Sequence, residues 1–385
     1  MSIALFWLGL LGLFAAATWL GSRLRLIPIV SQLLLATLGL PLLMLWSTPL
    51  GFGASELLAA DWLKPLYGVA FTLLLGHILS DVIDLDLQAD SVKIALPSFF
   101  LPFFCGLACA LWLLPAQSLL GSIAVGLLFA LTAIPVLFLY LQHLRYPAAR
   151  IRQLLQAAIL MDLLCWLIFG LAQGSSQPAT LLWPLLAASL PLLFKLLPCR
   201  SARFNGLCFL VLLLVMQQLK LNALVFGIAY LLCSAALRVP LRLPLPSSVF
   251  AALQTWLAVP LILAYGLLQI DWQNAWLGYS WLQFGALLLL PIASKLLGNW
   301  LGLSWAAGRL APSPGQWRES VLLNTRGLTE IVFLNLLLQQ QVISTQLYFA
   351  LMLMGLISTL LPAFTGAYPR PATTTHEARS HYEHS

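Results

Sequence analysis

The sequence predicts an all-α integral membrane protein of about 13 transmembrane helices, an inverted repeat with two crossing broken helices. Hydrophobic residues make up 61% of the chain and charged residues only 8%, whereas soluble domains usually carry about 25% charged residues. The hydrophobic residues form long runs separated by charges, prolines and small polar residues. Two of these runs are interrupted by polar residues, glycine or proline where a membrane helix is normally most apolar.

Thirteen apolar segments follow one another, and about 20 residues suffice to cross the hydrocarbon core as a helix. Only Lys220 and Asn222 separate the eighth segment from the ninth. The first run carries its charges after the apolar residues, so we interpret it as a retained helix and not as a cleaved signal. The approximate bounds are 3 to 20, 26 to 47, 62 to 80, 92 to 114, 119 to 141, 153 to 173, 178 to 198, 204 to 220, 221 to 238, 248 to 270, 279 to 303, 318 to 340 and 344 to 366.

The basic residues favour an odd number of spans. With the N-terminus outside and the C-terminus cytoplasmic, 15 of the 19 Lys and Arg residues fall in inside loops or the tail, against Lys64 and Lys220 outside. Such an excess of positive charge on the cytoplasmic side is the general rule for orientation. The basic residues are scattered singly along the chain and form no basic cluster. We therefore interpret them as determinants of membrane orientation and predict no nucleic-acid partner. Short inside loops and this bias favour a bacterial inner membrane.

Asp162 lies near the middle of the sixth segment, LLQAAILMDLLCWLIFGLAQ, from 154 to 173. A carboxylate at the middle of the membrane costs about 2.5 to 3.5 kcal/mol, so it normally faces the protein interior or a water-filled path and marks function. The alternative is a buried aspartate that only supports packing. The cysteines lie in or beside apolar segments without CxxC or histidine partners, so neither a disulfide, a structural metal nor a cofactor is predicted.

Segments five and twelve are the interrupted ones. Thr132 and Pro135 lie near the middle of segment five, where proline removes a backbone donor and clashes with the carbonyl one turn back. The polar break of segment twelve contains Asn324, Thr325, Arg326 and Glu330. Two broken helices seven segments apart predict an inverted repeat whose broken helices cross at the midplane and hold an ion. For segment five alone, an ordinary proline kink is the alternative.

This pattern predicts one transmembrane domain over residues 1–367. Repeat one covers about 1–175, a linker helix about 178–198 and repeat two about 204–367. Residues 368–385 are predicted to form a short, disordered cytoplasmic tail.

Several runs resemble monovalent cation/proton antiporters of the Kef-like and plant cation/proton exchanger branch, with the sodium/hydrogen exchanger fold. These runs are LLNTRGLTEIVFLN with the following VISTQLYFALMLMGLISTL, TAIPVL in segment five and AAILMDLLCW in segment six. The resemblance covers nearly the whole chain. It implies a thirteen-helix homodimer in lipid, with a mobile core in which segments five and twelve cross beside Asp162. It also implies a lysine on segment eleven, which Lys295 matches.

The sequence departs from these relatives at Met161. Many of them carry Asp-Asp or Asn-Asp on segment six, and alignment makes Asp162 the second residue of the pair and Met161 the first. Methionine is a poor ligand for Na⁺ or K⁺. The affinity, the stoichiometry and transport itself therefore stay open. For Lys295, the alternative is a side chain that reaches the membrane surface.

These residues favour a secondary transporter that exchanges Na⁺ or K⁺ for protons by alternating access. Asp162 would bind the cation when ionised and a proton when neutral, and Thr132 with carbonyls freed around Pro135 would supply oxygens. One cation then replaces one proton, so the exchange is predicted to be electroneutral. The apolar segments contain no catalytic nucleophile paired with a general base, so no enzymatic activity is predicted. The predicted ion-binding and transport residues are Asp162, Thr132, Pro135, Lys295, Arg326, Glu330, Asn324 and Thr325.

Two other functions stay open. A degenerate antiporter fold that acts as a sensor or assembly partner without transport would account for Met161. A carrier of an anion or organic solute would use the positive ends of the half-helices. Asp84, in an acidic loop on the predicted cytoplasmic side, either draws cations to the entrance or is simply solvated. His77 either tunes a pH response or is a satisfied polar residue.

Overall fold

The computed structural model of the protein describes residues 3–23, 28–47, 57–58, 60–80, 88–114, 117–174, 179–196, 201–219, 221, 223–243, 249, 252–268, 280–308 and 314–364. Every regular element within these ranges is helical, which confirms the all-α prediction. Each predicted apolar segment contains at least part of one helix. The exact number of membrane crossings and the division into two repeats stay predictions.

The helices follow the apolar segments, and several segments are divided into two shorter helices. A π-helical turn over Leu35–Gly39 joins the two helices of segment two, and another over Gln254–Ala258 precedes the helix of segment ten. The α-helices are α1 (Ile3–Arg23), α2 (Pro28–Leu34), α3 (Leu40–Ser47), α4 (Leu63–Ser80), α5 (Ala89–Leu113), α6 (Leu119–Ala130), α7 (Ile134–His143), α8 (Ala148–Gly174), α9 (Ala179–Ala188), α10 (Leu190–Leu196), α11 (Ala202–Gln218), α12 (Ala223–Leu237), α13 (Val259–Leu268), α14 (Trp281–Ala307), α15 (Pro314–Leu323), α16 (Leu328–Gln339) and α17 (Thr345–Phe364).

Five helices of the described residues are long and apolar enough to cross a membrane by themselves. They are α1, α5, α8, α14 and α17. Many large apolar side chains on these helices are exposed, among them Leu8, Trp112 and Leu289. In a membrane protein these side chains face lipid, because lipid tails are as apolar as the side chains themselves.

Segment five is divided between α6 and α7 by an extended stretch, residues 131–133. The last backbone hydrogen bond of α6 runs from the Leu131 N–H to the Leu127 carbonyl, at 3.2 Å. Pro135 occupies the first turn of α7, where its missing N–H costs nothing. Its ring would clash with the carbonyl of Leu131 if the helix continued, so the chain unwinds here.

Segment twelve is divided in the same way between α15 and α16. Helix α15 ends at Leu323, and residues 325–327 have no helical conformation. Gly327 precedes α16, and its carbonyl accepts the first hydrogen bond of that helix from the Ile331 N–H, at 3.1 Å. Both breaks therefore lie where the sequence predicts them.

Helices α5 and α14 pack with their backbones in contact. A Cβ atom on Gly298 would lie 2.6 Å from the carbonyl oxygen of Pro97, and one on Gly302 would clash with that of Ile94. Neither position has room for a larger residue without movement of a backbone. Small residues of this kind let membrane helices approach closely. The approach brings the side chain of Lys295 within reach of the backbone of α5.

Candidate functional site

The two broken segments meet at their extended stretches. The Ala133 N–H donates to the Thr325 carbonyl at 2.9 Å, and the Thr132 hydroxyl donates to the Leu323 carbonyl at 3.3 Å. Inside a membrane, unwound backbone is tolerated only where protein or water satisfies its polar groups. These two contacts satisfy part of it and hold the breaks against each other. The predicted crossing of two broken helices is thus present in the structure.

The C-terminal end of α6 is bound by two cationic side chains. Arg326 donates to the carbonyls of Leu128 and, at 2.7 Å, Phe129, and Lys295 donates to the carbonyl of Ala130. The last carbonyls of a helix have no partner within the helix and carry its partial negative charge. The guanidinium and the ammonium therefore occupy carbonyls that the sequence analysis assigned to the transported ion.

Lys295 is fully buried in α14 and does not reach the membrane surface. Its ammonium also donates to the Ser98 carbonyl at 3.1 Å and contacts the Met161 sulfur at 3.3 Å. A thioether is only a weak hydrogen-bond acceptor. The two backbone carbonyls, from α5 and α6, are thus the stronger partners of this charge.

Two carboxylates complete a buried group of four charges. Asp162 on α8 is 3% exposed and interacts electrostatically with Lys295 and Arg326. Glu330, in the first turn of α16, is also 3% exposed and pairs with Arg326 at 3.4 Å. The formal charges of the two cations and two carboxylates cancel when all four are ionised. Such balance is what makes buried charges tolerable inside a membrane.

Asn324 provides polar atoms at the break of segment twelve. Its side chain is fully buried, and neither its oxygen nor its nitrogen has a hydrogen-bond partner among the described residues. Buried polar atoms normally have partners, so an unpartnered amide indicates a place for water or an ion. The Thr325 hydroxyl, by contrast, donates to the Leu322 carbonyl at 2.8 Å.

Helices α14 and α17 brace the break of segment twelve. The Thr359 hydroxyl lies 2.6 Å from the Arg326 carbonyl, and the Tyr140 hydroxyl donates to the Thr359 carbonyl at 3.1 Å. On the other side, the Asn299 amide donates to the Ser320 carbonyl at 2.9 Å. These contacts fix the backbone that carries Arg326 and Glu330. Single Thr, Tyr and Asn residues in apolar helices carry no distinctive pattern, so these bracing residues could not be predicted from the sequence.

An ion pair that the sequence did not mark joins the first turn of α8 to the middle of α15. Arg150 binds Glu319 with two parallel hydrogen bonds, of which the one from Nε to Oε1 measures 2.8 Å. The Arg150 Nη1 donates to the Gln153 side chain at 2.6 Å. Burial and then the charge of Glu319 raise the pKa of the nearby Tyr146 hydroxyl. The pair ties the helix of Asp162 to the first half of the broken segment twelve.

The remaining predicted residues contribute less to the observed geometry. Pro135 lies in the first turn of α7, as described above. His77 lies in α4, but its side chain is outside the described part of the chain, and Asp84 lies outside the described residues altogether. In the part of the chain that the structure describes, no three His, Cys, Asp or Glu side chains form a cluster able to hold a metal ion.

Comparison with solved structures identifies the architecture. The chain is similar to the sodium proton antiporter MjNhaP1 from Methanocaldococcus jannaschii at pH 8, with a TM-score of 0.58 and 16% sequence identity. The alignment covers 94% of this chain and 97% of that chain. This chain has the fold of a sodium/proton antiporter. No family model and no curated protein matches the sequence.

The shared fold confirms the predicted class, an all-α integral membrane protein with two crossing broken helices. It does not place the chain in the Kef-like and plant branch, which stays a prediction. At this level of identity the likeness shows the fold alone, and function has to be argued from the buried site.

Proposed function

We propose that this protein exchanges a monovalent cation, Na⁺ or K⁺, for protons across the membrane by alternating access. One observation carries the proposal: Lys295, Arg326 and Glu330 are buried at the crossing of two broken helices, and the buried Asp162 interacts electrostatically with the two cations. Ionisable residues inside a membrane normally mark an ion or proton pathway. Broken helices that cross near the midplane are a recurring site for substrate and coupling ions in secondary transporters.

Asp162 is the proposed cation ligand, because a carboxylate is the hard, anionic oxygen donor that alkali cations prefer. The unpartnered Asn324 amide and the Thr132 hydroxyl offer further oxygen ligands at the two breaks. The carbonyls at the end of α6 are weaker candidates, since Lys295 and Arg326 already bind them. The two cationic side chains instead offset the negative end of α6 and the two carboxylates.

The proposed stoichiometry is one cation for one proton. With all four charges present the buried group is neutral, and either one cation or one proton brings it to the same net charge. Met161 adds no further ionisable group. A loaded core that carries equal charge in both directions does no work against the membrane potential, so the exchange is electroneutral.

The proposal includes a homodimer in a bacterial inner membrane, with the N-terminus outside and the C-terminus cytoplasmic. The excess of basic residues on the inner side supports this orientation. The movement between inward-open and outward-open states would displace the broken helices relative to the flanking segments. The resemblance of the sequence to cation/proton antiporters supports the homodimer, and its test is the mass of the purified protein in detergent or nanodiscs.

The direct test is proton flux in proteoliposomes that contain the purified protein and a pH-sensitive dye. We expect Na⁺, K⁺ or Li⁺ to move protons in the direction opposite to the cation, and choline to have no effect. Protein-free liposomes control for leak. If no alkali cation moves protons at any pH across the neutral and mildly alkaline range, the non-transporting alternative is favoured over exchange.

A further inference from the structure

The two buried carboxylates are equally little exposed but differ in what lies beside them. Glu330 lines a small pocket between α2, α16 and α17, together with Leu33, Met352 and Gly355. Both carboxylate oxygens of Asp162 are enclosed by protein in the same conformation. A group that takes up and releases protons needs a path to water. Of the two carboxylates, Glu330 is the one that borders this pocket.

Glu330 packs against a position that only glycine leaves free. A Cβ atom on Gly355 would lie 2.7 Å from Oε2 of Glu330 and 3.2 Å from its Cδ. The neighbouring pocket residues Leu33 and Met352 carry no charge. Among the described residues, Arg326 is the charged group that acts on Glu330. A change in the charge of Glu330 therefore acts most directly on Arg326.

Arg326 connects the two carboxylates. It pairs with Glu330 at 3.4 Å and interacts electrostatically with Asp162, while Lys295 acts on Asp162 and Arg326 from α14. We propose that Glu330 carries the transported proton, that Asp162 binds the cation, and that Arg326 couples the two sites. This inference rests on the proposed exchange function and names the residue that holds its proton.

The coupling follows from charge balance. When Glu330 is ionised, the positive charge of Arg326 is balanced by Glu330, and Asp162 is available to a cation. When a proton from water binds the Glu330 carboxylate, Arg326 and Lys295 face Asp162 alone, and a further cation there is repelled. Binding of a proton to Glu330 and binding of a cation to Asp162 thus exclude each other, although the two ions occupy different carboxylates. Each loaded state carries one extra positive charge, so the one-for-one exchange is kept.

The experiment measures Na⁺ binding and Glu330 protonation in the same purified protein. Sodium chloride is titrated at a series of pH values against matched choline chloride, with thermal stabilisation as the readout. Infrared difference spectra follow the protonated carboxyl band. For one competing proton, the apparent affinity for Na⁺ should weaken about tenfold per pH unit of acidification. The carboxyl band should appear at acid pH and disappear when Na⁺ is added.

The Glu330→Gln variant should bind Na⁺ weakly, with an affinity that no longer changes with pH, and should lack the acid-pH carboxyl band. Glu330→Asp should restore the pH dependence. A merely structural role for Glu330 would lower thermal stability in Glu330→Gln but leave the tenfold slope intact. Retention of both the slope and the band in Glu330→Gln would place the proton on Asp162 and overturn the inference, while exchange itself would stand.

Gly355→Ala tests the same site with the carboxylate present. The added methyl group should displace the Glu330 carboxylate and shift the midpoint of the pH dependence, leaving Na⁺ affinity at alkaline pH unchanged. Gly9→Ala, where a Cβ would meet nothing within 4 Å, is the matched control. If Glu330→Gln does not fold, an unchanged midpoint in folded Gly355→Ala overturns the inference. A wild-type protein that shows the Glu330 band but responds to no alkali cation overturns the proposed exchange and, with it, the coupling.

Discussion

The ammonium of Lys295 lies 3.3 Å from the sulfur of Met161, so an uncharged thioether faces this buried lysine from α8. Its charge is stabilised instead by backbone carbonyls of Ser98 and Ala130. A carboxylate at position 161 would face the same ammonium and form an ion pair. The identity of residue 161 therefore bears on both stability and the charge moved in each transport cycle.

Met161→Asp should turn electroneutral exchange into voltage-dependent exchange, because it adds a carboxylate that can release a second proton per cation. One elementary charge per turnover corresponds to about 2.3 kcal/mol per 100 mV. The measurement is the equilibrium Na⁺ gradient in potassium-loaded proteoliposomes, with valinomycin setting the potential at 0 or about −100 mV. Met161→Asn is the uncharged control. A voltage response already present in the wild type would contradict one-for-one exchange.

Asp162→Asn should abolish cation-dependent proton movement and leave folding intact, because it removes the charge and nearly keeps the volume. Expression, size-exclusion profile and dye-monitored proton flux provide the measurements. Asp61→Asn makes the same change at an exposed position and should transport normally. Undiminished exchange by purified Asp162→Asn would reject Asp162 as the cation ligand.

Lys295→Met should lower the stability of the protein by about 3 kcal/mol, because the carbonyls of Ser98 and Ala130 lose a charged donor while the packing volume is nearly kept. The measurement is the thermal midpoint in detergent. Lys195→Met replaces an exposed lysine on α10 and should leave the midpoint unchanged. Equal midpoints for the two variants would show that the ammonium contributes nothing to holding α14 against α6.

The Arg150 and Glu319 pair should show a coupling energy of about 1.5 kcal/mol or more, because it is bidentate and Glu319 is only 9% exposed. The measurement is a double-mutant cycle of unfolding free energies with Arg150→Gln and Glu319→Gln.

The exposed pair of Asp90 and Lys93 on α5 provides the comparison for this cycle. Substituted to Asn and Gln, it should give less than about 1 kcal/mol of coupling. Similar values for the two cycles would mean that the first pair does not join α8 to α15.

The orientation predicts which loops react with impermeant thiol reagents. In a background without the native cysteines, Ala149→Cys at the start of α8 should react from the cytoplasmic side, and Gln340→Cys after α16 should react from outside. Both positions are exposed in the structure. Reversed labelling would overturn the orientation, and labelling of both from one side would overturn the number of spans between them.

The sequence alone indicated the membrane class, the apolar segments and the places where two of them break. These features depend on local properties of the chain. Long apolar runs form helices that are stable in the hydrocarbon core of a membrane. Pro135 and the NTRG run disrupt a helix through their own backbone and side-chain properties. Asp162 stands out as the charged residue near the middle of its apolar segment, and the resemblance adds Lys295.

Only the tertiary structure decided which groups these charges contact. Lys295 and Arg326 come from different segments, yet both bind the end of α6, 165 and 198 residues away in the chain. Arg150 likewise meets Glu319 across 169 residues. The acceptors at the end of α6 are backbone carbonyls, which every residue carries, so no sequence pattern marks them. They became acceptors because the break leaves them unpaired and helix packing brings the two cations to them.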